Sequence, residues 1–374
     1  MYRSIYKHSR NPRFTKKYKI IIVELFMENK TYHQQQDIKN TLLLREVLAE
    51  LPPYVKSYFR GIENRTSTST RLGYARDILS FFEYMHEYNP SLKGKEIRSI
   101  TCGTLEQLYA VDFEEYLDYM KYYKKDGREY TNSERALKRK LVAIRGLFSY
   151  LFKNDQISSN PTEKVDMPKI REKAIIRMDA KETAEFLDNV EYGNQLTTSQ
   201  QKRHEKNKDR DLALLTLMLG TGIRVSECVG LDINDVDFDN DRIKVTRKGG
   251  YESFVYFGEE AREALLTYLE ERKKVVAKEG HENALFLSNQ NRRITVRSVE
   301  LLVKKYNITP MKKITPHKLR STYGTALYQE TDDIYLVADV LGHKDVNTTI
   351  KHYAELDDYR KRNARNKVQL REKP

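Results

Sequence analysis

Apolar side chains recur every three or four residues along several stretches of the chain, the spacing at which one face of a helix is buried. The first stretch ends before Pro52-Pro53, the second runs from the N-cap-rich segment 64–70 to Asn89-Pro90, and the third spans about 133–152. The apolar positions of these stretches are Leu42, Leu43, Leu44, Val47 and Leu48; Tyr74, Ile78, Phe81, Phe82 and Met85; and Leu137, Leu141, Ile144, Phe148 and Leu151. The pattern predicts that the N-terminal half is helical.

Helical spacing is interrupted near the middle of the chain. Residues 162–173 are polar and show no amphipathic period, which is typical of a linker. Beyond it, a helix is predicted over about 179–189 and another from Asp211 to Leu219. The polar stretch 194–210 between these helices is predicted to be a mobile surface loop.

A different period occurs in the second half. Apolar and charged residues alternate in 242–246 and again in 253–257, with Gly249-Gly250 between the two segments. Alternation around a glycine pair predicts a β-hairpin. Since the remaining segments have helical spacing, the predicted fold class is mainly α with a small β-sheet.

These patterns divide the chain into five parts. We expect a partly helical N-terminal extension over 1–50, a helical domain over 51–165 and a linker over 166–178. A second, α+β domain follows over 179–356, and a basic tail ends the chain over 357–374. No separate fold is assigned to the extension.

The charge of the chain favours a polyanionic partner. With a formal net charge of +13, it can displace the cations condensed on nucleic acid, although ribosomal and membrane-surface proteins share this feature. The two cysteines, Cys102 and Cys228, have no metal-ligand spacing and imply no disulfide framework. Glu24 interrupts the apolar run 20–23, so neither a signal peptide nor a membrane span is predicted, and a cytoplasmic protein is expected.

Six residues suited to phosphodiester chemistry follow one another in the second half. They are Arg224, Lys248, His317, Arg320, His343 and Tyr353. Arginine stays charged and can donate to two phosphate oxygens at once, while transfer through a protein nucleophile also requires a proton acceptor and a proton donor. Tyrosine, with a reference pKa of about 10, needs such neighbours to act as the nucleophile. Taken singly, each of these residues is more often an ordinary surface side chain.

Spacing strengthens two of these candidates. His317 and Arg320 are three residues apart, so they share a face if they are helical. Thr315-Pro316 before them has the form of an N-cap followed by proline in the first turn, where a helix attracts phosphate. Glu227 lies three residues after Arg224 and either holds that guanidinium, orients a histidine or forms a plain surface ion pair.

A further basic cluster lies on the predicted helix 133–152. Its members, on the side opposite the apolar stripe, are Arg135, Lys138, Arg139 and Arg145. One interpretation is a solvated helix face, and the other is a face that binds the DNA backbone. The sequence leaves both open.

The ordered motifs resemble those of the tyrosine recombinase (phage integrase) family, including its Xer-like site-specific recombinases. They are Gly-Thr-Gly-Ile-Arg-Val-Ser-Glu (220–227), Lys-Gly (248–249), Thr-Pro-His-Lys-Leu-Arg (315–320), Leu-Gly-His (341–343) and Tyr-Ala (353–354). The similarity extends over about 51–356. It implies a helical core-binding (SAM-like) domain and an α+β catalytic domain that form a C-shaped clamp on DNA.

The resemblance also implies a role for each candidate. Tyr353 would attack the scissile phosphate to give a 3′-phosphotyrosyl intermediate, and His317 would accept its proton. Lys248 would protonate the leaving 5′ oxygen. Arg224 and Arg320 would hold the nonbridging oxygens, with a further hydrogen bond from His343.

Two positions depart from the commonest family pattern. Ser321 replaces a frequent histidine, and ten residues separate His343 from Tyr353, one more than usual. His352 therefore stands where the tyrosine more often falls, and Tyr359 is the second candidate for the nucleophile.

No metal or other cofactor is implied by the resemblance. The implied partners are double-stranded DNA at a specific site, three further copies forming a homotetramer on synapsed DNA, and accessory DNA-bending or directionality proteins, with no membrane. The tail would be exchanged between protomers. The expected function is integration or excision of a mobile element or phage through a Holliday junction, in association with a bacterial nucleoid. The alternatives are Xer-type chromosome dimer resolution, a strand-passing topoisomerase and a non-catalytic DNA-binding relative.

Overall fold

The computed structural model describes residues 30–90, 92–171, 176–247, 249–307, 312–343 and 345–353, except the side chains of 348 and 351–353. The described chain forms two compact units that meet in sequence between residues 173 and 174. The elements of the first unit are α1 (Tyr32–Glu50), α2 (Pro53–Gly61), α3 (Thr68–Tyr88), α4 (Cys102–Leu105), α5 (Ala110–Tyr119), β1 (Tyr122–Lys125), β2 (Arg128–Thr131) and α6 (Glu134–Lys153). Within the described ranges, no helix is long and apolar enough to cross a membrane.

Capping residues fix the two longest predicted helices of this unit. Ser67 precedes α3 and its hydroxyl accepts a hydrogen bond from the Thr70 N–H, and Ser133 does the same for α6 with the Ala136 N–H. Such caps satisfy N–H groups that the first helical turn leaves without a partner. The predicted helices at 64–88 and 133–152 are confirmed, with ends that differ by a few residues.

The core of the first unit is aromatic. Phe81 of α3 stacks on Phe113 of α5 with ring centroids 5.3 Å apart, and Phe113 meets Phe148 of α6 edge-on at 5.1 Å. Leu44 and Leu48 of α1 belong to the same buried cluster. Helix α1 therefore packs in the core of this unit, whereas the sequence pattern predicted an extension over residues 1–50 outside the helical domain. Its apolar stripe needs a partner to bury, and α3 supplies one.

A short hairpin in the first unit was not predicted. Strands β1 and β2 pair antiparallel around Asp126 and Gly127, whose φ angles of 52° and 71° lie in the left-handed region. An Asp-Gly pair favours a two-residue hairpin turn. The Asp-Gly pair is present in the sequence, but the strands on either side of it are mostly exposed. Exposed strands have no apolar face, so the sequence shows no alternation of apolar and polar residues there.

The second unit is helical around one small sheet. Its elements are α7 (Ala180–Tyr192), α8 (Thr198–His204), α9 (Lys208–Thr221), α10 (Val225–Gly230), β3 (Val236–Asp237), β4 (Arg242–Thr246), β5 (Glu252–Tyr256), α11 (Glu259–Lys273), α12 (Val296–Tyr306), α13 (Pro316–Thr331), α14 (Ile334–Leu341) and α15 (Val346–Tyr353). The three strands pair antiparallel in the order β3-β4-β5. The predicted hairpin is thus confirmed, with β3 as an additional edge strand.

The prediction of a mobile loop over 194–210 is wrong, because helix α8 occupies its centre. His204 at the end of α8 is only 1% exposed, and its Nδ1 lies 2.9 Å from the Tyr306 hydroxyl. That hydroxyl donates to the buried Asp211 carboxylate at 2.8 Å. The sequence signal was Gln200, whose side chain accepts from the Thr197 N–H at 3.0 Å and caps α8.

Helix α9 carries the core of the second unit to the candidate site. It packs against α7, α11 and α13, and most of its residues from Asp211 onward are buried. The helix ends at Gly222, whose φ of 63° lies in the left-handed region. A Cβ there would lie 2.4 Å from the Tyr323 ring, so both backbone and space require glycine. This turn brings Arg224 to the start of α10.

Candidate active site

Arg224 is held from two sides. Its Nη1 lies 2.8 Å from Oε1 of Glu227, and its Nη2 donates to the Gly342 carbonyl at 3.2 Å. Its backbone N–H also donates to Oε2 of Glu227 at 2.8 Å. Glu227 is 3% exposed, while about a third of the Arg224 side chain remains accessible. Glu227 is therefore a buried support for this guanidinium, and the alternative of a plain surface ion pair does not describe it.

Arg320 lies beside the same turn. It is 4% exposed, its Nη1 donates to the Gly222 carbonyl at 2.6 Å, and its Nη2 donates to the Leu341 carbonyl. It belongs to the first turns of α13, which begins with Pro316 after the N-cap Thr315, as the sequence predicted. His317 is exposed on the same helix.

The C-terminal end of α14 is the shared acceptor. Its last residues and the following Gly342 present carbonyl oxygens to three guanidinium groups, those of Arg224, Arg320 and Arg247. Unpaired carbonyls at a helix C-terminus carry partial negative charge. Like charges can converge here because this helix end and the Glu227 carboxylate offset their repulsion.

Arg247 is the residue of this cluster that sequence reasoning missed. It follows β4 directly, its side chain is 10% exposed, and Nη1 lies 3.3 Å from Oε2 of Glu227. Burial lowers its pKa, and the Glu227 carboxylate partly offsets that effect. The only sequence signal was its place before Lys248 in Thr-Arg-Lys-Gly-Gly (246–250).

His343 joins the end of α14 to α15. Its backbone N–H donates to the Ala338 carbonyl at 2.9 Å, and its Nδ1 lies 2.7 Å from the hydroxyl of Thr349, a fully buried residue of α15. Tyr353 comes four residues after Thr349, one helical turn, and is the last residue of α15. The helix that ends at Tyr353 is thus attached to the arginine cluster through His343.

Several predicted residues lie outside what the structure describes. These are Lys248, the side chains of His352 and Tyr353, and the tail from 354 onward, with Tyr359. Of the candidates whose side chains are described, the structure brings Arg224, Arg320 and His343 to one turn. His317 lies three residues before Arg320 on α13 and is exposed. Such a cluster of donors can bind an anion such as a phosphodiester.

The basic residues of α6 separate into two kinds. Arg135 is exposed and Lys138 half-buried. Arg139 pairs with the buried Asp77 at 2.6 Å. Arg145 donates to the Thr162 carbonyl at 3.0 Å and to the Val165 carbonyl. Its guanidinium therefore holds the chain that leaves α6, a structural use that the helical pattern could not reveal.

The comparisons with known proteins agree with the geometry of the site. The model of the phage integrase family matches residues 177–360. The tyrosine recombinase XerS of Streptococcus uberis is 33% identical over 334 residues, covering 82% of this chain and 92% of that protein. The tyrosine recombinase XerC of Caldanaerobacter subterraneus subsp. tengcongensis is 30% identical over 334 residues, covering 85% of this chain and 87% of that protein.

Solved structures show the same fold. The Tn1549 transposon integrase in complex with transposon right end DNA has a TM-score of 0.60 at 22% identity, with 83% of this chain and 98% of that chain covered. The XerH site-specific recombinase bound to a palindromic difH substrate has a TM-score of 0.56 at 21% identity, with 79% and 80% covered. At these identities the likeness concerns the fold.

Proposed function

The chain belongs to the tyrosine recombinase family, and we propose that it is a site-specific recombinase that cleaves and rejoins DNA strands through a 3′-phosphotyrosyl intermediate. The observation that carries this proposal is the convergence of Arg224 and Arg320 on the turn at Gly342, next to the helix that ends at Tyr353. Preorganised cations at one point are what a phosphoryl-transfer transition state requires.

In the proposed mechanism, Arg224 and Arg320 bind the nonbridging oxygens of the scissile phosphate. Both guanidinium groups are already fixed by protein acceptors, so little reorganisation is needed when the charge on these oxygens grows. Glu227 orients Arg224. His343, set by Thr349, donates a further hydrogen bond.

The covalent step is assigned to Tyr353, and the two proton transfers are assigned to His317 and Lys248. The Tyr353 oxygen attacks phosphorus while His317 accepts its proton, and the 5′ oxygen leaves with a proton from Lys248. The phosphotyrosyl bond retains the energy of the phosphodiester. Rejoining then needs only a 5′ hydroxyl from the same or the partner strand.

The partners follow from the reaction. Exchange of strands between two duplexes would need four protomers and two rounds of cleavage through a Holliday junction, with accessory DNA-bending or directionality proteins at the site. The exposed Arg135 and the half-buried Lys138 of α6 would contact the DNA backbone. The place of action would be the bacterial nucleoid.

For the biological role, we propose integration or excision of a mobile element. The fold is compatible with that role, since the Tn1549 transposon integrase shares it, as does the XerH recombinase. Xer-type chromosome dimer resolution is the second candidate, since the XerS protein of Streptococcus uberis and the XerC protein of Caldanaerobacter subterraneus subsp. tengcongensis are 33% and 30% identical to this chain.

A suicide-substrate assay tests the proposal. Randomly nicked genomic DNA contains fragments with a nick just beyond a cleavage point. From these fragments the short strand that carries the attacking 5′ hydroxyl diffuses away, so the phosphotyrosyl complex accumulates and its DNA can be sequenced. We expect a covalent complex on one defined sequence. Absence of any complex would indicate a non-catalytic relative, and complexes on unrelated sequences a topoisomerase.

A further inference from the structure

Arg247 is buried within the arginine cluster although nothing in the proposed mechanism uses it. Its Nη1 lies 3.3 Å from Oε2 of Glu227 and donates to the Leu341 carbonyl at 3.3 Å. Its Nη2 donates to the Val340 carbonyl at 2.9 Å. Burying a guanidinium is costly unless charged and hydrogen-bonding partners compensate. These partners are the same groups that organise the site.

Both supports of Arg224 contact Arg247. Glu227 uses Oε1 for the Arg224 guanidinium and shares Oε2 between the Arg224 backbone N–H and Arg247. Gly342, whose carbonyl accepts from Arg224, lies so close that a Cβ would be 2.9 Å from Cζ of Arg247. Any displacement of Arg247 therefore disturbs both groups that orient Arg224.

Charge balance gives Arg247 a second effect on Arg224. A buried carboxylate paired with one arginine is neutral overall and would cancel much of the attraction that Arg224 offers to a phosphate. Because Arg247 also pairs with Glu227, the two guanidinium groups and the one carboxylate together keep a net charge of about +1. The carboxylate can then orient Arg224 without neutralising it.

We propose that Arg247 is a positioning residue that holds Glu227 and Gly342 in place so that Arg224 binds the nonbridging oxygens of the scissile phosphate. This inference rests on the proposed function. Arg247 acts through Arg224 and does not itself touch the substrate, since its side chain is 10% exposed and both Nη atoms bind protein acceptors.

The test compares full-length Arg247→Gln and Arg247→Lys with the wild type on the DNA sequence recovered by trapping. The matched control is Arg242→Gln, a half-exposed arginine at the other end of β4 that pairs with Asp237 at 2.8 Å. Single-turnover formation of the covalent complex, the Kd for DNA and the thermal midpoint are measured for each protein. The substrates carry an ordinary phosphate, a methylphosphonate or a 5′-bridging phosphorothiolate at the scissile position.

On ordinary DNA we expect Arg247→Gln to slow covalent complex formation about 100-fold with Kd changed less than about 3-fold, as for the loss of an oriented transition-state donor. Arg247→Lys should recover part of the rate, and Arg242→Gln should match the wild type. A methylphosphonate lacks the charged oxygen that Arg224 neutralises. On methylphosphonate DNA, the ratio of the wild-type rate to the Arg247→Gln rate should therefore be at least about 10-fold smaller than on ordinary DNA, by the logic of a double-mutant cycle.

Three results would overturn the inference. In the first, the ratio of the wild-type rate to the Arg247→Gln rate is the same on methylphosphonate DNA as on ordinary DNA. In the second, this ratio falls only on the phosphorothiolate, which needs no leaving-group proton. In the third, the fall in thermal midpoint accounts for the whole loss of rate. If Arg247→Gln does not fold, Arg247→Lys supports the same comparison. A wild type that forms no covalent complex on any DNA would instead remove the proposed function, and the inference with it.

Discussion

At the scale of single residues, the site depends on where cations are buried and what pairs with them. Arg320 is nearly inaccessible and donates to the main-chain carbonyls of Gly222 and Leu341, which hold its guanidinium in place. Arg224 is more accessible and depends on Glu227, which is itself buried. The two arginines thus differ in how they are held. Main-chain carbonyls fix Arg320, and the Glu227 carboxylate orients Arg224.

Replacement of Tyr353 by phenylalanine should abolish the covalent complex, because the phenolic oxygen is the proposed nucleophile. The loss of one hydroxyl should leave DNA affinity nearly unchanged. Gel analysis after denaturation detects the complex, and a binding titration measures the affinity. A complex that persists in this variant would move the nucleophile elsewhere, with Tyr359 the next residue to replace.

Replacement of Arg320 by alanine should remove about 3 kcal/mol of transition-state stabilisation, on the order of 100-fold or more in the single-turnover rate, by analogy with lost oxyanion donors. Loss of its donors also leaves the buried Gly222 carbonyl without this partner. The thermal midpoint must therefore be measured with the rate. A rate within a few-fold of the wild type would exclude Arg320 from phosphate binding.

At the scale of elements, turns with left-handed glycines bring the site together. Gly222 ends α9 and Gly342 ends α14, with φ angles of 63° and 61°. The carbonyls of both glycines accept hydrogen bonds from the site arginines. The helix ends are therefore structural and functional at once.

Replacement of Gly222 by alanine should destabilise the second unit more than the backbone conformation alone explains. A non-glycine residue in the left-handed region costs about 1 to 2 kcal/mol, and here the Cβ would also lie 2.4 Å from the Tyr323 ring. Gly280→Ala is the matched control, since its φ is 77° and a Cβ there meets nothing within 4 Å. Denaturant unfolding measures the free energy of unfolding of both variants. Equal losses of stability would show that the contact with Tyr323 contributes nothing.

The sequence could predict elements whose stabilising groups are local. Helices α3 and α6 have N-caps and apolar stripes within themselves, and the β4-β5 hairpin has its alternation and glycines. Helix α8 was missed because its apolar signal is weak and its anchor is His204, which contacts Tyr306, 102 residues further along the chain. Local patterns do not encode partners that distant.

At the scale of the whole molecule, the net charge of +13 does not say which cations can reach DNA. Arg145 in the first unit and Arg247 in the second direct their guanidinium groups to carbonyls or a carboxylate of the protein, whereas Arg135 is exposed. Only cations left accessible can displace counterions from a duplex.

The double variant Arg135→Gln, Lys138→Gln should weaken DNA binding and lower its salt dependence. If both side chains contact phosphates, the slope of log K against log salt should fall by about 1.8 in magnitude, at roughly 0.9 per contact. Arg145→Gln is the contrast, because its carbonyl contacts predict lost stability with an unchanged slope. An unchanged slope in the double variant would leave the face of α6 merely solvated.

The sequence by itself determined the fold class and the order of the reacting groups, because helical periodicity, caps and motif spacing are local properties of the chain. Only the tertiary structure decided which cations meet. It joined residues from α10, the end of β4, α13 and the end of α14 around Glu227 and one set of helix-end carbonyls. The role of Arg247 could not be predicted, since the sequence does not distinguish a buried arginine from a solvated one. The two differ only in the partners that folding brings to them.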